Sequence, residues 1–237
     1  MPYRTLLTLI GARLEATHED DHPEGYASVD ELAGDLELIA HSLIDHHGLH
    51  AGAYAVQRLV RRVRTFGLHL ARLDVRQDSQ VHDDALAALQ GDADWGQRSP
   101  AERVEKLHPF ASGELALAPV EEENAQRMRS VFQALGTARR RYGAEAIGLY
   151  IISMARTAAD VLAVLALARH GGLAVEGEPV PLDVAPLFET VDDLKNAPAT
   201  LRALLADPVY RTHLASRGDR QWVMLGYSDS GKDGGTL

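Results

Sequence analysis

Three short polar clusters, each following an apolar run, hold the side chains suited to handling phosphate or carboxylate groups. Arg76-Gln77-Asp78 follows LHLARLDV, Glu189-Thr190 follows LDVAPLF, and Ser228-Asp229-Ser230 with Lys232 follows QWVMLG. Glu189 and Asp229 would supply hard carboxylate oxygens, a donor set suited to magnesium or manganese with water in the remaining positions. Arg76 would add a planar, permanent cation for a phosphate or carboxylate. Lys232 would add a compact ammonium. Each also has a plainer reading. A carboxylate after a strand often caps the next helix, and Thr190 with Asp193 could fill that role, leaving Glu189 unexplained. Arg76 could equally pair with Asp74 or Asp78.

The last cluster contains a second pattern. Gly226-Tyr227-Ser228-Asp229-Ser230-Gly231-Lys232 fits the Gly-x4-Gly-Lys part of a nucleotide-binding loop, but Asp233 stands where a magnesium-binding Ser or Thr belongs. Asp229 and Asp233 would also put negative charge where phosphates must sit. A nucleotide hydrolase is therefore a secondary reading, and a non-catalytic helical scaffold with relic motifs a third. Arg58, Arg61, Arg62 and Arg64, like Arg139-Arg140-Arg141, read as solvated helix faces. The histidines are scattered, several of them between His41 and His50, where a zinc site is not favoured.

The elements that must position these residues follow from periodicity. Leu6, Leu7, Ile10 and Leu14 mark a first helix, and the acidic run Glu19 to Glu24 a loop. Ser28-Val29-Asp30-Glu31 opens a second helix with a capping box, carrying Leu32, Leu36, Ile39 and Leu43. A third spans about Ala53 to Phe66, with Gly67 as its stop. The period then changes: Leu68 to Val75 reads as a strand. Helices follow at Val81 to Leu89, after the capping box Ser99-Pro100-Ala101-Glu102, and around Met128, Val131, Phe132, Leu135 and Tyr142.

Ile147 to Met154 reads as a strand buried on both faces, and Thr157 with Asp160 begins the next helix. Leu182 to Phe188 is a third strand, followed by a helix through Leu194, Leu201, Leu204 and Leu205. Gln221 to Gly226 is a fourth, leading into a loop from Tyr227 to Gly235. Short apolar strands separated by helices predict a parallel sheet with helical crossovers. Polar residues at the carboxyl ends of parallel strands share one rim, so clusters far apart in sequence can converge there. A chain stopping just past a strand reads as truncated relative to a longer parent.

Composition bounds the partners. The chain has 237 residues, 46% hydrophobic and 24% charged, ordinary for a globular protein with a sizeable core. Its formal charge of −10 disfavours nucleic acid and anionic membrane. There is no cysteine, which excludes disulfides and thiolate metal sites and fits a reducing cytoplasm. The apolar runs fall well short of the roughly 20 residues a membrane helix needs.

Four stretches, in order, resemble phosphoenolpyruvate carboxylase: Phe66 to His82, Tyr150 to Leu165, Ala185 to Ala197 and Val223 to Gly235. Pro2-Tyr3-Arg4 and Asp207-Pro208-Val209-Tyr210-Arg211 fit more loosely. The resemblance implies an α/β fold that is part of a β/α (TIM-type) barrel, with four or so parallel strands and extensive additional helices. Residues 1–66 would be a helical segment packing on the barrel, and 67–237 the partial barrel, truncated at its C-terminus. It further implies a cytoplasmic homotetramer that converts phosphoenolpyruvate and bicarbonate to oxaloacetate and phosphate with Mg2+ or Mn2+. Glu189 and Asp229 would then be the metal ligands, Arg76 would hold phosphoenolpyruvate, and Lys232 would lie near bicarbonate. Two family signatures, a Thr-Ala-His-Pro-Thr stretch with the catalytic histidine and a Gly-Arg-Gly-Gly loop, do not occur in these residues.

Overall fold

The computed structural model describes residues 2–19, 22–175 and 177–235, and the side chains of Ser228, Asp229, Ser230 and Asp233 lie outside the described set. Asp20 and Asp21, within the acidic run, lie outside it too. Two compact units divide the chain: Met1–Arg72 with Ala138–Ala146, and Leu73–Thr137 with Ile147–Leu237.

The first unit is helical. Helix α1 (Pro2–Ala16) is followed by α2 (Val29–Asp45), an irregular turn at Leu49–Ala53, and α3 (Tyr54–Phe66). Ile10, Leu32, Leu36, Ile39, Leu43 and Val60 meet in its core, as their helical spacing requires. Ser28 caps α2 by accepting the Glu31 N–H. The reciprocal bond is shifted by one residue, since the Glu31 carboxylate takes the Ala27 N–H at 3.1 Å rather than that of Ser28. Arg13 draws that carboxylate away as well, pairing with both Glu31 and Asp35.

The second unit is built on strands β1 (Leu73–Asp78), β2 (Ile147–Ser153), β3 (Asp183–Phe188) and β4 (Met224–Leu225), in that spatial order and all parallel. Helices α4 (Ser79–Gln90), α5 (Pro100–Ser112) and α6 (Glu123–Tyr142) separate β1 from β2. Helix α7 (Ala158–His170) crosses to β3. Helices α8 (Val191–Ala206) and α9 (Pro208–Ser216) precede β4, and α10 (Tyr227–Gly234) follows it. The protein is thus α/β, with four parallel strands in one sheet and many helices.

Both sheet faces are covered around the middle strands. Tyr150, Ile152 and Val184 join the main core with α7, while Ile151, Ala185 and Leu187 form a smaller cluster. Successive residues of a strand point to opposite faces, so a continuous apolar run is what such a strand must have. Helix α7 is apolar on every side and is buried from Ala158 to Ala168.

Four expectations change. The first strand starts at Leu73, not Leu68, because Leu70 sits at φ +61 and a tight turn joins the Ala71 N–H to the His69 carbonyl. Arg76, Gln77 and Asp78 therefore lie in β1 itself. The fourth strand shrinks to Met224–Leu225, whose side chains are exposed. The segment after it is the helix α10 rather than a loop. Helix α9 was not anticipated; Asp207 caps it by accepting the Tyr210 N–H at 2.9 Å, and Pro208 fixes its first turn.

Candidate functional site

The carboxyl ends of β1, β2 and β3 bring together residues far apart in sequence. Arg76 in β1 lies beside Ile151 in β2, two residues before Ser153. Its Nε donates to Ser153 Oγ at 2.5 Å, and its Nη2 donates to Glu189 Oε1 at 2.7 Å. The other carboxylate oxygen, Oε2, accepts the Met154 backbone N–H at 2.9 Å. Glu189 is only 6% exposed, whereas the Arg76 side chain is 55% exposed. A buried carboxylate must be paired to be tolerated, and Arg76 with the Met154 peptide provides that pairing.

The plainer readings resolve differently for each residue. Thr190 and Asp193 do form the capping box of α8, with Thr190 Oγ1 accepting the Asp193 N–H at 3.1 Å and Asp193 Oδ2 accepting the Thr190 N–H at 3.0 Å. That leaves the Glu189 carboxylate outside the cap. Arg76 does not turn to Asp74 or Asp78: Asp74 accepts the Leu149 N–H at 2.8 Å, and Asp78 caps α4 through the Gln80 N–H at 2.8 Å.

Strand β4 brings the last cluster toward Glu189. The Gly226 N–H donates to the Phe188 carbonyl at 2.8 Å, and a Cβ on Gly226 would stand 2.9 Å from Glu189 Cα. Only glycine fits this approach. Asp229 follows three residues later in the first turn of α10, and its side chain lies outside the described residues. Lys232 is in the last turn of α10 with an exposed side chain. Residues 227–234 are helical, so the Gly-x4-Gly-Lys stretch forms a helix itself instead of the loop ahead of one that a nucleotide-binding loop requires. Among the described residues no group of three or more His, Asp or Glu side chains could hold a metal ion, so Glu189 is the one described member of the expected ligand pair.

Sequence reasoning missed Ser153, Met154 and Arg156. Ser153 had a signal, a small hydroxyl closing an otherwise apolar strand. Arg156, just beyond β2, lines a cleft of about 300 Å³ with Thr190, Asp192, Asp193 and Asn196, and its Nε is 3.8 Å from Asp193 Oδ1. Met154 acts through its backbone, which no side-chain pattern reveals.

Comparison with known proteins agrees along the whole chain. The family profile for phosphoenolpyruvate carboxylase matches residues 1–237. A phosphoenolpyruvate carboxylase of Xanthomonas campestris pv. campestris (strain 8004) is 59% identical over 235 residues, covering 99% of this chain and 26% of the relative. Those of Mycobacterium avium (strain 104) and Ralstonia nicotianae are 39% and 36% identical, each covering 100% of this chain and 28% and 26% of the relative. The chain spans about a quarter of the length of these relatives. With a profile match from end to end, the chain belongs to the phosphoenolpyruvate carboxylase family.

Proposed function

We propose that this chain carries part of the active site of an enzyme that carboxylates phosphoenolpyruvate with bicarbonate, giving oxaloacetate and phosphate. The observation that carries the reading is the Arg76–Glu189 pair, an exposed guanidinium fixed over a buried carboxylate at the strand ends. In this reading Glu189 and Asp229 hold Mg2+ or Mn2+. Glu189 fits: its carboxylate has lone pairs beyond its two hydrogen bonds, and the backbone leading to Asp229 runs against it. The chemistry supplied by a bound divalent ion would be neutralisation of the charge that develops as the enolate of pyruvate forms.

The chain's own residues would do the rest. Arg76 binds the anionic substrate and offsets phosphate charge during transfer, with Ser153 and Glu189 holding its fork in place. Lys232 approaches bicarbonate from α10. The burial of Ser153 and Glu189 keeps water from that side of the site, where a proton gained by the enolate would end the reaction as pyruvate. We read the sheet as part of a β/α barrel, supported by its parallel order and by functional residue types at the carboxyl ends of its strands. A cytoplasmic homotetramer supplying oxaloacetate to the tricarboxylic acid cycle completes the reading. In keeping with it, no helix among the described residues is long and apolar enough to cross a membrane.

Calorimetric titration of the chain with phosphoenolpyruvate in the presence of Mn2+ tests the reading. Arg76→Lys keeps the charge but loses the two-pronged fork, and should weaken phosphoenolpyruvate about tenfold or more while sparing Mn2+. Arg62→Lys, on α3, should change nothing. Equal phosphoenolpyruvate affinity in wild type and Arg76→Lys would contradict the reading. By themselves the 237 residues are expected to give no bicarbonate-dependent oxaloacetate in a malate dehydrogenase-coupled assay, since neither missing family signature is among them.

A further inference from the structure

The corner between β2 and α7 is tied down at every residue. Ser153 Oγ accepts from Arg76 Nε at 2.5 Å. The Met154 N–H donates to Glu189 Oε2 at 2.9 Å, and the Met154 carbonyl accepts from Ser79 Oγ at 3.0 Å. The Ala155 N–H donates to the Leu187 carbonyl at 3.3 Å. Three consecutive residues are thus fastened to β1, α4 and β3.

Met154 itself has φ +57, a left-handed conformation that a residue with a Cβ adopts only where its surroundings hold it. Here that conformation sends its N–H to Glu189 and its carbonyl to Ser79. Ser79 is the first residue of α4, yet its hydroxyl has no part in capping that helix: Asp78 is the cap and takes the Gln80 N–H. The hydroxyl is therefore given over to the Met154 carbonyl. One hydroxyl outside the site thus anchors the peptide unit after the Met154 Cα, and the unit before it meets the carboxylate that pairs with the guanidinium.

We propose that Ser79 is a positioning residue, which by gripping the Met154 carbonyl holds Met154 in its left-handed conformation, so that the N–H on the other side of its Cα orients Glu189 and, through Glu189, Arg76. This rests on the reading that Glu189 binds the divalent ion, which the Met154 N–H would serve by fixing one carboxylate oxygen and leaving the other to Arg76 and the ion. Orienting groups of this kind commonly change metal affinity by roughly ten- to a hundredfold when removed.

The test is Mn2+ binding to the 237-residue chain, followed by the electron paramagnetic resonance signal of the free ion. It compares wild type, Ser79→Thr, Ser79→Val and Glu189→Gln. Thr and Val have nearly the same shape, so the two Ser79 variants load the corner equally and differ only in the hydroxyl. Ser79→Val should weaken Mn2+ roughly tenfold, at the lower end of that range, while Ser79→Thr stays within about twofold of wild type. Glu189→Gln should abolish the site. If Ser79→Val binds as wild type, or if Thr and Val lose affinity alike, the positioning role is overturned, even with the site at Glu189 intact. If Glu189→Gln binds Mn2+ unchanged, the underlying metal reading fails instead.

Discussion

Helices α3 and α7 are both thirteen residues long, yet α3 buries only Val60 while α7 buries every residue from Ala158 to Ala168. Helix α3 rests on α2 and turns Arg58, Arg61 and Arg62 to solvent. Helix α7 packs against α4, α5, α8 and β3, and the corner before it carries the Arg76–Glu189 network. The difference teaches where rigidity is concentrated. The helix that follows the site's corner is packed on all sides; the helix that rests on α2 is packed on one.

The widest separation between the two helices should appear on truncation. Leu162, fully buried in α7, should cost about 2–5 kcal/mol as Leu162→Ala, through lost transfer energy and the cavity left behind. Leu59 in α3, 43% exposed, should cost no more than about 0.5 kcal/mol as Leu59→Ala. Urea unfolding of both variants measures this, and equal losses would remove the distinction.

Acid should separate the two units next. In the sheet unit, burial pushes His82, whose Nε2 is 2.8 Å from the Tyr150 hydroxyl, down from 6.5 to about 4, and burial likewise lowers His213 to about 4. Unfolding lets each take up a proton in that interval, so their contribution is full above pH 6.5 and is lost as pH falls toward 4. For His82 the loss is on the order of 3 kcal/mol. In the helical unit, the hydrogen bond from Arg13 holds the Glu31 carboxyl below its usual 4.5, so that contribution persists until pH drops below 4.5. Amide exchange resolved by unit should show the sheet unit loosening first between pH 6.5 and 4.5, and His82→Gln should reduce that response, leaving the part due to His213. Loss of protection in both units at the same pH would contradict this.

How much of this could be read from the letters depended on whether the controlling contact was local. Caps span only four residues: the box at Ser99–Glu102 and the cap at Thr190–Asp193 form, and of the box read at Ser28–Glu31 the Ser28 half forms. Strands β2 and β3 announce themselves as unbroken apolar runs because both of their faces are covered. The start of β1 is not legible, since a left-handed Leu70 leaves no mark on an apolar string. The length of β4 is not legible either: QWVMLG has strand-like letters throughout but pairs with β3 only through Met224 and Leu225. In the site, the polar letters after strands exposed Arg76 and Glu189 as candidates. Their direct pairing across 113 residues of sequence, and the peptide of Met154 that orients them, are tertiary facts.

The most direct test is the location of the ion. Adding Mn2+ to the uniformly 15N-labelled chain broadens amide resonances steeply with proximity. The resonances of Met154, Glu189 and Gly226 should disappear first, and those between His41 and His50 in the helical unit should persist. Broadening centred on that histidine-bearing stretch, with the strand ends of β2 and β3 untouched, would contradict a metal and substrate site at Glu189.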